Sequence, residues 1–382
     1  MSSQKVKHSP KALTYYQEQL ALSLEALSAK SGIALNTLVK ACEGETVFSL
    51  LQIKKLSNVL LVPDFALITD YVENFDIPET IDHRNLSSDE AEENQYQLIK
   101  TLRQIINHRD DLLYTFESMG DNPEVFDLKL TGDDSTEDAQ RIRDFLEVDS
   151  NTPRVNGNDD YYKDWRLLVE RKDIMVMEIA RTAIGSEGMA LYYPTLPIIA
   201  VLSTGQSHSR RLFTLIHELV HLGLRQSSID GALLEPHEGI ERYCNRVAGS
   251  VLVPDSVIAN IYDCSLSLGE NVDAIRKFQK VSRQAIAIQL NFKGLVTKKE
   301  LNAYFRFLEE KYASKGGGGN NTKPVISYNK FGKVFVQQVI SAVWGHDMPV
   351  TTAMKILNVK DIGQFHSLET MAFKDNKTRT SA

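Results

Sequence analysis

Long apolar runs are missing from this chain. No stretch of its 382 residues approaches the roughly 20 apolar residues of a membrane span. Its first residues, MSSQKVKHSPKALTYYQ, lack the apolar core of a signal peptide. Cysteine is scarce. Cys42, Cys244 and Cys264 are odd in number, far apart and never in a C-x-x-C pair, which excludes a disulfide framework and indicates a reduced, cytoplasmic chain. Arginine is absent before Arg84, and no internal repeat is visible. The net charge is −7, unevenly spread. Residues 76–138 carry 17 acidic and 5 basic residues, whereas residues 270–382 carry 18 basic and 9 acidic ones. The first 75 residues balance at 7 against 7. An acidic middle repels phosphate, so a nucleic-acid surface belongs at one of the two ends.

The length allows two or three domains, and composition shifts place the boundaries. Residues 1–75 contain LALSLEALSAKSGIALNTLVKACEGE, with Leu20, Leu24 and Leu27 at helical spacing, a turn at Ser31-Gly32, and a second periodic stretch through Leu35, Leu38 and Val39 closed by Gly44. Another amphipathic helix ends before Pro63. Helix, glycine turn, helix is a helix-turn-helix. Residues 76–139 form an acidic connector with one long helix, capped at Ser88. In residues 140–260, DWRLLVERKDIMVMEIA reads as a helix leading into a strand and LPIIAVLS as a second, short apolar strand, an α+β alternation. Residues 261–314 are basic and helical, residues 315–322 a glycine-rich linker, and residues 323–382 a small C-terminal module and tail.

The chemistry lies in LFTLIHELVHLGL, residues 212–224. Residues four apart share a helix face, so His217 and His221 offer two imidazoles to one ion. Zn²⁺ takes nitrogen and oxygen ligands tetrahedrally and keeps a position open when catalytic. Glu218, beside the first histidine, reaches water at such a site but is turned too far round the helix to hold the ion, the place of a general base. A core helix that buried two histidines and a glutamate without use for them would pay desolvation for nothing. For a third ligand, LLEPHEGIERYCNRVAGSVLVP offers Glu235, His237, Glu238 and Glu241. Glu241 is preferred because Asn245, four residues on, shares its face and can accept the free N–H of a ligand histidine. His237 is the competing ligand. The oxyanion stabiliser is not readable; Tyr243 and His237 are near in sequence but undirected.

RRLFTLIHELVHLGL followed by IERYCNRVAGSVLVP resembles the ImmA/IrrE family of zinc metallopeptidases, whose pattern is F-T-x-x-H-E-x-x-H, then E-x-x-A/C-N/D-x-x-A-x-x-x-L-x-P. By position the resemblance makes His217, His221 and Glu241 the Zn²⁺ ligands and Glu218 the catalytic residue. Val247 stands where the family more usually has an aromatic. The resemblance covers residues 140–260. It is weaker through residue 312 and the tail, which are similar to regions that follow the peptidase in longer members. Residues 22–63 resemble the Xre/Cro-like helix-turn-helix family, which puts Asn36, Thr37 and Lys40 on the helix that would enter the major groove of double-stranded DNA. The missing arginine departs from that pattern, since arginine makes the commonest specific base contact.

These readings imply an α+β, mostly helical protein. It has an N-terminal helix-turn-helix bundle, a zincin-like metallopeptidase domain with a small sheet, and a helical C-terminal region. The expected activity is that of a zinc metalloendopeptidase (HExxH, gluzincin-like) of narrow specificity. Its expected substrate is a transcriptional repressor or other regulatory protein. A DNA-binding regulator or antitoxin-like protein whose zinc domain senses rather than cleaves is the alternative, and an interaction scaffold with structural zinc a third. No membrane partner is expected, and a homodimer stays open.

Overall fold

The computed structural model describes residues 5–72, 89–148, 161–180, 187–229, 238–279, 281–311 and 322–374. Ser88, Glu235, His237 and the glycine-rich linker of residues 315–321 lie outside them. The fold is mostly helical with small sheets, and the chain divides into two units between Asn107 and His108.

In the first unit, strand β1 (Lys5–Val6) pairs antiparallel with β2 (Phe48–Ser49), around helices α1 (Pro10–Gln19), α2 (Leu24–Ser31), α3 (Leu35–Cys42) and α4 (Leu50–Leu60). Leu20 and Leu24 do not share a helix as their spacing suggests. The Ser23 hydroxyl accepts the N–H of Ala26 and starts a new helix, and Ala21 adopts a positive φ. Gly32, at φ 66°, ends α2 in the left-handed conformation that glycine tolerates. A reciprocal Ser49–Gln52 capping box starts α4. The core is made of Leu13, Tyr16, Leu27, Leu38, Phe48, Ile53 and Leu56. Helix α5 (Asp89–Ser118) adds Tyr96 and Ile99 to it, and Arg103 donates to the Leu60 carbonyl at 2.8 Å.

The second unit begins within α5. Helices α6 (Ser135–Phe145) and α7 (Tyr161–Glu170) lead into a four-stranded sheet of β3 (Met175–Ile179), β4 (Gly188–Leu191), β5 (Ile198–Leu202) and β6 (Ser228–Ile229). Its order is β3-β5-β4-β6, with β3 parallel to β5 and the other pairs antiparallel. β5, apolar throughout and wholly buried, is central. β4 and β6 are additions to the two strands legible in the sequence. Helix α8 (His208–Gly223) lies on β4 and β5, and α9 (Glu238–Leu252) packs on α8. The basic stretch that reads as one helical region is three helices after α10 (Asp255–Ile261): α11 (Leu268–Phe278), α12 (Arg283–Phe292) and α13 (Lys298–Lys311). Ser267 and Ser282 cap α11 and α12 and set the breaks.

Helices α14 (Lys323–Phe331), α15 (Lys333–Trp344), α16 (Val350–Ile356) and α17 (Ile362–Phe373) complete the unit, α14 lying against β3. A buried ionic clasp fastens them. Arg166 donates to Glu170 at 2.7 Å, to Glu178 at 3.2 Å and to the Asn329 carbonyl at 2.6 Å. Glu170 accepts the Val334 N–H at 3.1 Å, and Arg211 of α8 donates to Glu178 at 3.1 Å. Gly332 turns the chain between α14 and α15 at φ 83°, where a Cβ would overlap the Glu170 carboxylate.

Candidate metal centre

The Ser207 hydroxyl caps α8 by accepting the Arg210 N–H. Leu212, Leu215, Ile216, Leu219 and Val220 then bury the helix against the sheet and α9. That burial carries His217, Glu218 and His221 inside, with residue exposures of 4%, 0% and 2%. α9 buries Cys244, Val247, Ala248 and Val251, and so turns Glu241 and Asn245 toward α8.

His217 Nε2 lies 3.1 Å from His221 Nε2 and 3.1 Å from Glu241 Oε2; His221 Nε2 lies 3.4 Å from Glu241 Oε1. Asn245 Oδ1 stands 3.1 Å from His217 Nδ1. A carbonyl oxygen only accepts, so His217 donates there and a neutral ring turns its Nε2 lone pair into the cluster. Cys244 Sγ sits 3.9 Å from His221 Nδ1, so the outer nitrogen of the second ring is engaged as well. Only when the rings carry protons on Nε2 do hydrogen bonds, first from His217 and then from His221, hold the Glu241 carboxyl well below the ordinary carboxylate range.

These residues fit Zn²⁺. Two imidazole nitrogens and a carboxylate are its ordinary donors. Tetrahedral bonds of about 2.0–2.1 Å put ligand atoms about 3.3–3.4 Å apart, against the 3.1–3.4 Å found. Among the described residues these three form the group able to hold a metal. Glu218 is not part of it.

Two residues with no signal in the sequence shape the surroundings of Glu218. Ser228, on β6, donates its hydroxyl to Glu218 Oε2 at 2.9 Å. Gly188, at the start of β4, lets the strand pass so close that an added Cβ would overlap the Glu218 carboxylate and the Thr214 methyl. Sheet pairing brings both to α8, from 30 residues before Glu218 and from 10 after it. Tyr243 serves elsewhere: its hydroxyl donates to Asp138 of α6 at 2.7 Å. Asn36, Thr37 and Lys40 lie on α3 in the first unit; Asn36 and Lys40 are exposed and Thr37 is half-buried. The same surface carries exposed Leu35 and Val39.

No helix among the described residues is long and apolar enough to cross a membrane. No curated protein matches the chain. Residues 169–291, a stretch that holds α8, α9 and the whole three-residue cluster, match the model of the peptidase M78 family, the IrrE N-terminal-like domain. That match supports an ImmA/IrrE-family domain here, with a metallopeptidase-like function.

Proposed function

We propose that the protein is a zinc-dependent endopeptidase of narrow specificity that cleaves a transcriptional repressor or another regulatory protein. The N-terminal helices serve to bind DNA or to dock a partner. The observation that carries this reading is the division of labour on α8. Two histidines converge with Glu241, while the glutamate between them stands apart with its own hydrogen bond from Ser228.

When bound, Zn²⁺ supplies Lewis acidity, polarising a carbonyl and acidifying water. His217, His221 and Glu241 are the residues that hold it. Asn245 fixes the ring of His217 so that Nε2 faces the centre. Glu218 takes the proton of the attacking water and later returns it to the leaving amine. Ser228 holds the Glu218 carboxylate in one orientation through Oε2. Val247, where the family more usually has an aromatic, belongs to the buried core and not to the cluster.

The test is to identify the proteins encoded beside this one, incubate each with the zinc-loaded full chain and identify fragments by mass spectrometry. Cleavage at one bond, absent with Glu218→Gln, is expected. If Glu218→Gln still produces a full expression response in cells, the zinc domain senses and does not cleave, and the regulator reading replaces this one.

A further inference from the structure

A second site lies in the same unit, away from α8. Between the end of α5, the strand β3 and the helices α14 and α15 is a cavity of about 300 Å³. That volume falls at the lower end of small-molecule sites. Its floor is apolar and buried: Leu112, Phe116, Met175, Phe331 and Phe335 line it. Phe331 and Phe335 stack at 4.8 Å between ring centroids. Its polar lining is of one sign. Asp121, Glu124 and Asp173 stand at the rim and Glu170 at the base, with two amides, and no lysine or arginine lines the cavity.

Glu170 is already engaged by Arg166. The rim carboxylates are differently placed. Asp173 Oδ2 accepts the Glu124 N–H at 2.8 Å and Asp121 Oδ1 accepts the Asn122 N–H at 2.9 Å, both contacts to backbone. Burial holds the Asp173 carboxyl above its ordinary range. The neighbouring charges of Glu124 and Asp121 push the same way, against that backbone hydrogen bond. Among the described residues none of the three rim carboxylates forms an ion pair, so negative charge at this mouth has no cationic partner. Lys330 already lies over the Phe331 ring, its Nζ 4.9 Å from the centroid, so the remaining aromatic walls and the anionic rim are what attract a further cation, by ring quadrupole and charge.

We propose that this cavity binds a small organic cation, an ammonium group on an apolar or aromatic frame, with the frame on Phe116, Phe331 and Phe335 and the charge at Asp173 and Glu124. An anion is refused by the rim, and a bare metal ion would leave the aromatic floor unfilled.

Titration calorimetry on the full chain tests this with three probes of one frame: 2-phenylethylammonium, the neutral 2-phenylethanol and the anionic 3-phenylpropionate. The ammonium should bind with a Kd of about 1 mM or tighter, the weak end of ligand affinities. The alcohol should bind about tenfold more weakly and the anion not at all. Asp173→Asn suits the positive φ of that position and keeps an oxygen for the Glu124 N–H, so the fold should hold. It should weaken the ammonium about tenfold and leave the alcohol unchanged. Glu124→Gln, at an exposed position, should show the same pattern more weakly. No ammonium binding at that concentration, equal binding of ammonium and alcohol, or unchanged affinity in both variants overturns the proposal. None of these results depends on the α8 centre or on peptidase activity.

Discussion

At the scale of single residues, the proposed function separates metal retention from proton transfer. His217→Ala removes one of three donors and leaves Asn245 without its partner. Elemental analysis should find most of one zinc equivalent lost, and full retention would sink the ligand assignment. Glu218→Gln removes the carboxylate that the proposed mechanism uses as base. It should keep its zinc and its thermal stability while cleavage falls by roughly a hundredfold or more, the usual contribution of general base catalysis. Gly188→Ala is a stricter test of packing, because its methyl group enters the space held by Glu218 and Thr214. Strain of this kind costs about 1–3 kcal/mol, so denaturant unfolding should shift accordingly and cleavage should fall with it. Of these residues, the histidines and Glu218 were legible because helical spacing is local, and Glu241 because Asn245 lies one turn beyond it. Gly188 and Ser228 were not. Only the pairing of β4 with β6 makes them neighbours of Glu218, and a two-residue strand leaves no periodic signal.

Elements are joined by polar ties that hydrophobic patterning does not reveal. Asp138 of α6 is buried, and burial raises its carboxyl. Hydrogen bonds from the Tyr243 hydroxyl and from the Gly132 and Thr131 N–H groups outweigh this and hold it below its ordinary 3.8. A depressed carboxylate contributes stability that is complete above the unfolded value and is lost as pH falls through the folded one. The α6–α9 tie should therefore be at full strength at neutral pH and fail only in strong acid, below about pH 4. Asp138→Asn should lower stability at pH 7 by about 1–3 kcal/mol and flatten that acid limb, read from unfolding midpoints at several pH values. If α3 reads double-stranded DNA, binding should weaken steeply with salt and further with Lys40→Ala, because released counterions would drive it. If deleting residues 1–70 leaves the affinity unchanged, α3 is not the reader. The split between α1 and α2 escaped the sequence reading for a related reason: one serine hydroxyl at Ser23 overrode an apolar spacing that continued across it.

On the scale of the molecule, the mostly helical α+β architecture followed from alternating periodicities, while the fastening of α14–α17 to α7 did not. Arg166 and Glu170 are one turn apart on α7, a spacing that carries no sign of depth, and both are buried. Gly332→Ala places a side chain at positive φ and against Glu170. It should destabilise the second unit by well over 1 kcal/mol, with a clear fall in Tm. The clasp grips main-chain groups: the Asn329 and Lys330 carbonyls and the Val334 N–H. Every amino acid but proline brings the same groups, so the clasp does not dictate the side chains at 329, 330 and 334. In a saturation mutagenesis scan this joint would show an intolerant Gly332 beside the buried Phe331, with positions 329, 330 and 334 permissive although their main chains carry the attachment.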